Sequence, residues 1–436
     1  PGLLSLDRLL LRQAHRALGE GGVNPRTRGI DNMRILITSI VDIKRVTHNR
    51  IHVFAEYLSR KHDVTILCLN AWWLDESENH DGGADYHRDP YFQQLFDRTT
   101  ILYLTNGRQP PVLQELASVR TLDGLSRQID LASFDVHVNY GNLIAGYVVA
   151  RKSRRFGIPT VFDIADDLPH SFALSPRVPG VFRPIARRVA HRMLQANVNL
   201  ATQVTFVTNA LQDAYRLPDA KCTLIPNGVH ESFFNTPPAP SRRTKLGLDG
   251  SFVLGFVGTQ LEWVDLEPAF AAVSRLNAEG KDVKMLVVGG GEKLEANKRL
   301  AAVNGVSERV VFTNQLPLSE VHSYLCCMDV ALICRTQTTD SDRSLPLKLF
   351  EYMACQKPVI SVPLAGVREA VADRVLYARD SDELTSRILQ LRGDQGLRER
   401  MGLEGMEFVR ERYDWSTICR RFEEILQEAS SEGHSA

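Results

Sequence analysis

The sequence predicts an α/β protein built from two doubly wound units, each a parallel sheet covered by helices on both faces. Three observations carry this. Strand-like and helix-like runs alternate from Met33 onward. The alternation stops once, at Asn235-Thr-Pro-Pro-Ala-Pro-Ser-Arg-Arg-Thr244, which cannot hold a regular ladder, and it restarts at Phe252. A chain of 436 residues is also too long for one ordinary core and long enough for two.

In the first unit the pattern gives strands over 35–38, 64–69, 100–104, 134–139, 160–164, 203–207 and 222–225. Between them run helices over 52–60, 111–129, 143–156 and 184–196. In the second unit strands are expected over 252–257, 284–288, 310–312, 330–333 and 359–361. Helices are expected there over 266–277, 294–304, 319–328, 347–355, 382–403 and 415–428. The division that follows is an extension over 1–32, a first domain over 33–236, a linker over 237–245, a second domain over 246–412 and a final helix over 413–436 packing back on the first domain. Two such units present the carboxyl ends of their strands, where open α/β sheets bind ligands, to a shared cleft.

Composition excludes several functions. Lysine plus arginine equals aspartate plus glutamate at 52 each, so no net field draws the molecule to nucleic acid and any phosphate site must be local. Seven cysteines without C-x-x-C or zinc spacing fit a reducing cytoplasm. No apolar run is long enough to span a bilayer and no signal-peptide core opens the chain, so membrane attachment is expected to be peripheral at most. Leu6, Leu9, Leu10 and Ala14 share one side of an amphipathic stretch, with Arg8, Arg12 and Arg16 interleaved. It reads as a helix packing on the body, with membrane-surface docking the competing reading. There is no G-x-x-x-x-G-K-[ST], no H-E-x-x-H and no D-x-D beside a diphosphate site, so a metal is not expected. His48 and His52 have helical i,i+4 spacing but lack a third ligand.

The sharpest chemical signal is Leu345-Pro-Leu-Lys-Leu-Phe-Glu-Tyr-Met-Ala-Cys-Gln-Lys-Pro-Val-Ile-Ser361. Pro346 stands where a helix opens, leaving the next amides without intrahelical partners and free to cradle phosphate oxygens. Lys348 and Glu351 are neighbours on one helical face. They suit a cation near phosphates and a carboxylate accepting ribose hydroxyls; an ordinary surface ion pair is the competing reading.

This segment resembles the donor-binding signature of glycosyltransferase family 4. The resemblance extends to Ile225-Pro-Asn-Gly-Val229, Gly255-Phe-Val-Gly258, Val287-Val-Gly-Gly-Gly291, Val310-Val-Phe312, Asp329-Val-Ala-Leu332, and Gly366 with Glu369. It implies the GT-B fold, two Rossmann-like domains facing a central cleft. It also implies retaining transfer of a sugar from a nucleoside diphosphate sugar to an acceptor hydroxyl, in polysaccharide, glycoconjugate or natural-product synthesis. No cofactor is implied, the nucleotide sugar being a co-substrate; oligomeric state stays open. By this resemblance Glu351 binds the donor ribose, and Pro346, Leu347 and Lys348 present the helix start to its diphosphate. Gly258, Thr259, Gly289, Gly290 and Gly291 approach the donor through backbone, and Asn227 joins the donor side.

Departures bear on mechanism. The family usually places a sugar-contacting glutamate eight residues before the ribose-binding one; here that position is Arg343. The basic residues that commonly follow the first glycine turn are missing, and Arg343, Lys348 or Arg335 would replace their charge. Tyr140 stands where relatives often carry a histidine, and Asp166 and Asp167, with Asp163, lie where an acceptor hydroxyl would be oriented; turn capping is the competing reading. These departures keep two alternatives in view: a GT-B sugar nucleotide epimerase, and a non-catalytic nucleotide- or partner-binding protein.

Overall fold

The computed structural model describes residues 32–44, 48–69, 90–104, 129–174, 178–235 and 240–435, together with Val119 and Leu122. Seven parallel strands make the first sheet: β1 (Arg34–Ser39), β2 (Asp63–Cys68), β3 (Thr99–Tyr103), β4 (Val136–Tyr140), β5 (Thr160–Ile164), β6 (Gln203–Phe206) and β7 (Cys222–Leu224). Their order across the sheet is β3-β2-β1-β4-β5-β6-β7. Six more make the second: β8 (Phe252–Val257), β9 (Val283–Val288), β10 (Val310–Phe312), β11 (Val330–Ile333), β12 (Val359–Ser361) and β13 (Leu376–Tyr377), ordered β10-β9-β8-β11-β12-β13. The order reverses beside β1 in one sheet and beside β8 in the other, and a crevice opens at such a reversal.

Period-2 alternation sends each strand's side chains into two separate cores. Ile35, Ile37, Val136, Val138 and Val161 pack under helix Arg50–Leu58 and against Trp415, Phe422 and Leu426 of helix Trp415–Ser435. Leu36, Leu67 and Leu102 meet Leu131, Phe134 and Val149 on the opposite face. In the second sheet Val253, Leu286 and Ala331 pack on Leu349, Phe350 and Met353. Leu254, Met285 and Val330 face Phe270, Val273 and Leu276 on the other side. The last helix therefore crosses back onto the first domain, where the Phe54 and Phe422 rings stack 4.1 Å apart.

The differences from the sequence reading have local causes. The single helix expected over 382–403 is two, Ser381–Gly393 and Gln395–Arg412. Asp394 leaves helical geometry between them, and its carboxylate caps the second by accepting from the Leu397 amide at 2.8 Å. Helices Pro90–Arg98, Leu168–Leu174, Thr339–Arg343 and Ala365–Val371, and strand β13, were not expected; all but the first run two helical turns or fewer, too few repeats to mark a pattern. Within 237–245, helix Pro240–Lys245 is tied to the second domain, with Arg243 donating to the Ser251 carbonyl at 2.6 Å and pairing with Asp329 at 3.0 Å. Most of the helix expected over 111–129, and the amino-terminal stretch, lie outside the described residues.

Candidate active site

Three loops at the carboxyl ends of β8, β9 and β11 and the start of helix Leu347–Ala354 enclose a cavity of about 350 Å³. Pro346 is the residue before that helix, with extended backbone, so the helix starts where a proline without an N–H costs nothing. The helix is fixed from below by Tyr352, whose buried hydroxyl accepts from the Val257 amide at 2.8 Å. This bond holds the end of β8 against the helix. The first helical amides and the β8 loop thus face one space.

The two glycine turns meet there backbone to backbone. Gly258 and Gly289 have φ of +141° and +123°, and a Cβ on Gly289 would come within 2.4 Å of the Gly258 carbonyl oxygen. No other residue fits that approach. Gln260, fully buried, binds the turns together: its amide NH₂ donates to the Gly289 carbonyl at 2.7 Å and its side-chain oxygen accepts from Asn297 at 2.8 Å. Its own backbone N–H donates to the Gly290 carbonyl at 2.7 Å. Gly291, at φ +127°, lies against the Gln260 backbone behind the wall.

Charge collects at one end of the cavity. The Lys348 ammonium sits 4.2 Å above the Phe256 ring, beside Gly258. Burial, then the nearby Arg335 guanidinium, bring Lys348 down to about 8. Burial pushes the Glu351 carboxyl up to about 7, against the pull of Lys348. Arg335 donates to the Ser344 hydroxyl at 2.7 Å, and its Nε, buried, has no partner among the described residues. Two cations side by side, each held in a charge state that burial opposes, make a place where an anion is stabilising. Gln315, Leu316 and Val321, with Leu261, Trp263 and Val264, supply the largely apolar part of the lining.

Gly258, Thr259, Gly289, Gly290, Arg335, Pro346, Leu347, Lys348 and Glu351 all line this cavity. Asn227 and Arg343 do not. The Asn227 amide donates to the Leu345 carbonyl at 2.7 Å, which anchors the approach to helix Leu347–Ala354 on the first domain. Arg343 points across the cleft and pairs with Asp167 at 2.6 Å, while its own carbonyl accepts from Thr208 at 2.9 Å. Asp167 also accepts from the Tyr215 hydroxyl and is nearly buried.

A family model for glycosyl transferases group 1 matches residues 251–394, and one for a glycosyl transferase 4-like domain matches residues 48–228. The chain belongs to the group 1 glycosyltransferases. It is 29% identical over 254 residues to the GDP-mannose-dependent α-(1-6)-phosphatidylinositol monomannoside mannosyltransferase of Mycolicibacterium smegmatis, a match covering 56% of this chain and 65% of that one. Against the D-inositol 3-phosphate glycosyltransferase of Stackebrandtia nassauensis it is 26% identical over 299 residues, 65% of this chain and 66% of the other. The chain thus spans just under two thirds of these relatives. Among solved structures, HepE of Anabaena in complex with UDP aligns over 91% of this chain and all of its own at a TM-score of 0.68 and 17% identity. Sucrose-phosphate synthase of Thermosynechococcus elongatus aligns over 92% of this chain and all of its own, at 0.71 and 15%. These likenesses establish the GT-B fold.

On the first domain of this group 1 glycosyltransferase the aspartates divide. Asp163 is fully buried in a two-pronged pair with Arg50, at 2.9 and 3.1 Å, and accepts from Thr205 at 2.6 Å. It has a structural ion pair where an acceptor-orienting role was a candidate. Asp166 is solvent-exposed on the cleft wall. The protein on either side of the cleft raises its carboxyl to about 6, with Arg335 pulling the other way. Tyr140 is buried, its phenol pushed far up by burial and by Asp166 and Asp163. His48 lies before helix Arg50–Leu58 and only His52 within it, so the two do not share helical turns. His52 is instead bonded to Asn49 and to the Ile43 carbonyl. Among the described residues no three His, Cys, Asp or Glu side chains group as metal ligands.

Gln260, Tyr352, Arg50 and Asn49 went unread in the sequence, and His48 was read only as half of a pair spaced for metal. His48 and Asn49 line this cavity from the first domain. Nothing in the local pattern separates Gln260 from any polar residue after a turn; its role rests on contacts with residues 289, 290 and 297.

Proposed function

We propose that the protein transfers a sugar from a nucleoside diphosphate sugar to an acceptor hydroxyl with retention of anomeric configuration, without a divalent metal. The carrying observation is the paired cations Lys348 and Arg335 beside the open amides of Leu347 and Lys348 and the Gly258 turn. These cations and amides receive the diphosphate, Glu351 the ribose hydroxyls, and the apolar lining at Leu316 and Val321 the base. As the sugar–phosphate bond breaks, negative charge grows on the departing diphosphate. The cations and helix amides stabilise it in place, which lowers the barrier without a covalent nucleophile. The leaving phosphate accepts the acceptor's proton. Asp166 orients the acceptor hydroxyl, being the cleft aspartate whose carboxylate is not committed to an arginine in the way Asp163 and Asp167 are. The relatives act on inositol-containing acceptors, so cyclitols are the first acceptors to try.

The test is calorimetric titration of UDP and GDP into wild type and Glu351→Ala. A lost charge-assisted contact costs about 1.5–3 kcal/mol, so affinity should fall roughly tenfold to a hundredfold. A 2′,3′-dideoxy nucleotide should bind both proteins about equally. Equal affinities for the ordinary nucleotide, with both proteins folded, would remove Glu351 from the site.

A further inference from the structure

Helix Arg183–Leu200 follows β5 and helix Leu168–Leu174 in the first domain. Its buried residues, Ala190, Leu194, Asn197 and Val198, all come from Ala190 onward, none from its first two turns. The first two turns project past the core, and with the short 3₁₀ turn Gly180–Phe182 ahead of them they carry Val181, Phe182, Ile185 and Val189, exposed at 76%, 56%, 62% and 51%. Val181, Ile185 and Val189 succeed one another at four-residue spacing, so they form one stripe, with Phe182 beside it. Arg188 and Arg192 follow Ile185 and Val189 by three positions and flank the same stripe, both exposed. From 180 to 200 the sequence holds Arg183, Arg187, Arg188 and Arg192 and not one Asp or Glu, in a chain whose charges otherwise balance.

An aliphatic stripe edged by arginines is unusual on a free surface, where large apolar side chains side by side remain hydrated at a cost. The position in the fold adds to it. The Arg187 charge is felt by His170 and Tyr215, the groups around Asp167, so this end of the helix stands at the mouth of the cleft on the acceptor domain.

We propose that this face docks the protein on the surface of a bilayer containing anionic lipid. Val181, Phe182, Ile185 and Val189 enter the region between headgroups and acyl chains, and Arg188 and Arg192 meet lipid phosphates. Charge selects this occupant over the amino-terminal stretch, whose Arg8, Arg12 and Arg16 carry the same sign as the face. It likewise disfavours a second copy packed face to face, which would oppose arginines to arginines. Docking here is peripheral, since no helix of the described residues is long and apolar enough to cross a membrane. It would bring the cleft mouth to the plane in which a lipid-linked hydroxyl is displayed.

Co-sedimentation of the full chain with vesicles tests this, and because it needs no turnover it stands or falls apart from the transferase reading. Binding is expected to phosphatidylcholine vesicles that include phosphatidylglycerol, to weaken as salt is raised, and to be far weaker with phosphatidylcholine alone. Ile185→Glu with Val189→Glu should lower binding by about tenfold or more, since each change withdraws an apolar side chain from the interface and adds a charge of the lipid's sign. Arg188→Gln with Arg192→Gln should remove the preference for phosphatidylglycerol. Thermal unfolding and nucleoside diphosphate affinity serve as controls and should match wild type. Full-length protein that leaves both vesicles unbound, or a glutamate variant that binds as wild type does, overturns the proposal. So does a dimer in sedimentation velocity that the glutamate variant dissociates, because the face would then belong to a second copy.

Discussion

The two walls of the cleft are made by different means. The wall on the second domain is built of backbone: glycine turns 258 and 289–291 in contact, a helix start at Pro346, and Gln260 and Tyr352 holding main-chain groups. On the first domain the wall is built of charged side chains paired over long sequence separations, Arg50 with Asp163 and Arg343 with Asp167. Backbone recognition is written into local sequence, because only glycine and proline take those conformations. Side-chain pairing is not, because an arginine reads the same whether it faces solvent, a phosphate or an aspartate from the other domain.

The largest effect expected from this contrast is at Arg50. Its guanidinium and the Asp163 carboxylate are both buried, and Arg50 also donates to the Pro226 carbonyl at 2.8 Å. Arg50→Met strands a carboxylate in the core, which costs about 3–5 kcal/mol. Chemical denaturation should show that loss in a first transition, with nucleotide affinity little changed in protein that remains folded. A collapse of nucleotide affinity in the folded variant would mean the walls are not separable.

Gly289→Ala probes the opposite wall. The positive φ and the approach to the Gly258 carbonyl each carry a penalty, together about 3 kcal/mol, and here the loss should appear in nucleotide binding as well as in stability. Gly141 is the internal control on the first domain. It also has positive φ, but a Cβ there would meet only the side chains of Leu168 and Ile40, at 3.3 and 3.4 Å. Gly141→Ala should cost about 1 kcal/mol and leave nucleotide affinity alone. Equal losses of affinity in the two variants would end the distinction between a backbone-built and a side-chain-built wall.

Arg343 is where the two walls meet, and it separates what was legible from what was not. The fold was readable because each strand's apolar run and each helix's period are local, and part of the cavity lining because Pro346, Lys348 and Glu351 lie on one helix start. The sequence marked Arg343 as a departure and suggested a phosphate or sugar contact; its pairing with Asp167 spans 176 positions and has no local signature. Arg343→Met should cost about 1.5–3 kcal/mol of stability, the range for a hydrogen bond to a charged group, because it also leaves Tyr215 and Asp167 without their cation. Unchanged thermal stability together with a large loss of donor affinity would return Arg343 to the donor's phosphates.

The smallest effect is a pH dependence that belongs to the donor wall alone. Lys348, at about 8, binds a diphosphate while protonated, so affinity should fall as pH rises through 8. Glu351, at about 7, accepts ribose hydroxyls best when ionised, so affinity should also fall as pH drops below 7. The optimum therefore lies between, and each limb should change affinity by several-fold per pH unit, within the tenfold limit for loss of one proton. Each limb has its own control. Lys348→Met should bind weakly at every pH and lose the alkaline limb, and Glu351→Gln should lose the acid limb while keeping the alkaline one. Asp166→Asn, on the first domain, should leave both limbs in place, because Asp166 does not line the cavity; its influence reaches the nucleotide only through the Arg335 charge. Calorimetric titration of UDP or GDP across this range checks all three. A profile of the same shape in Glu351→Gln as in wild type would take the acid limb away from the ribose contact and hand it to the nucleotide's own terminal phosphate, whose dianion takes up a proton in the same range.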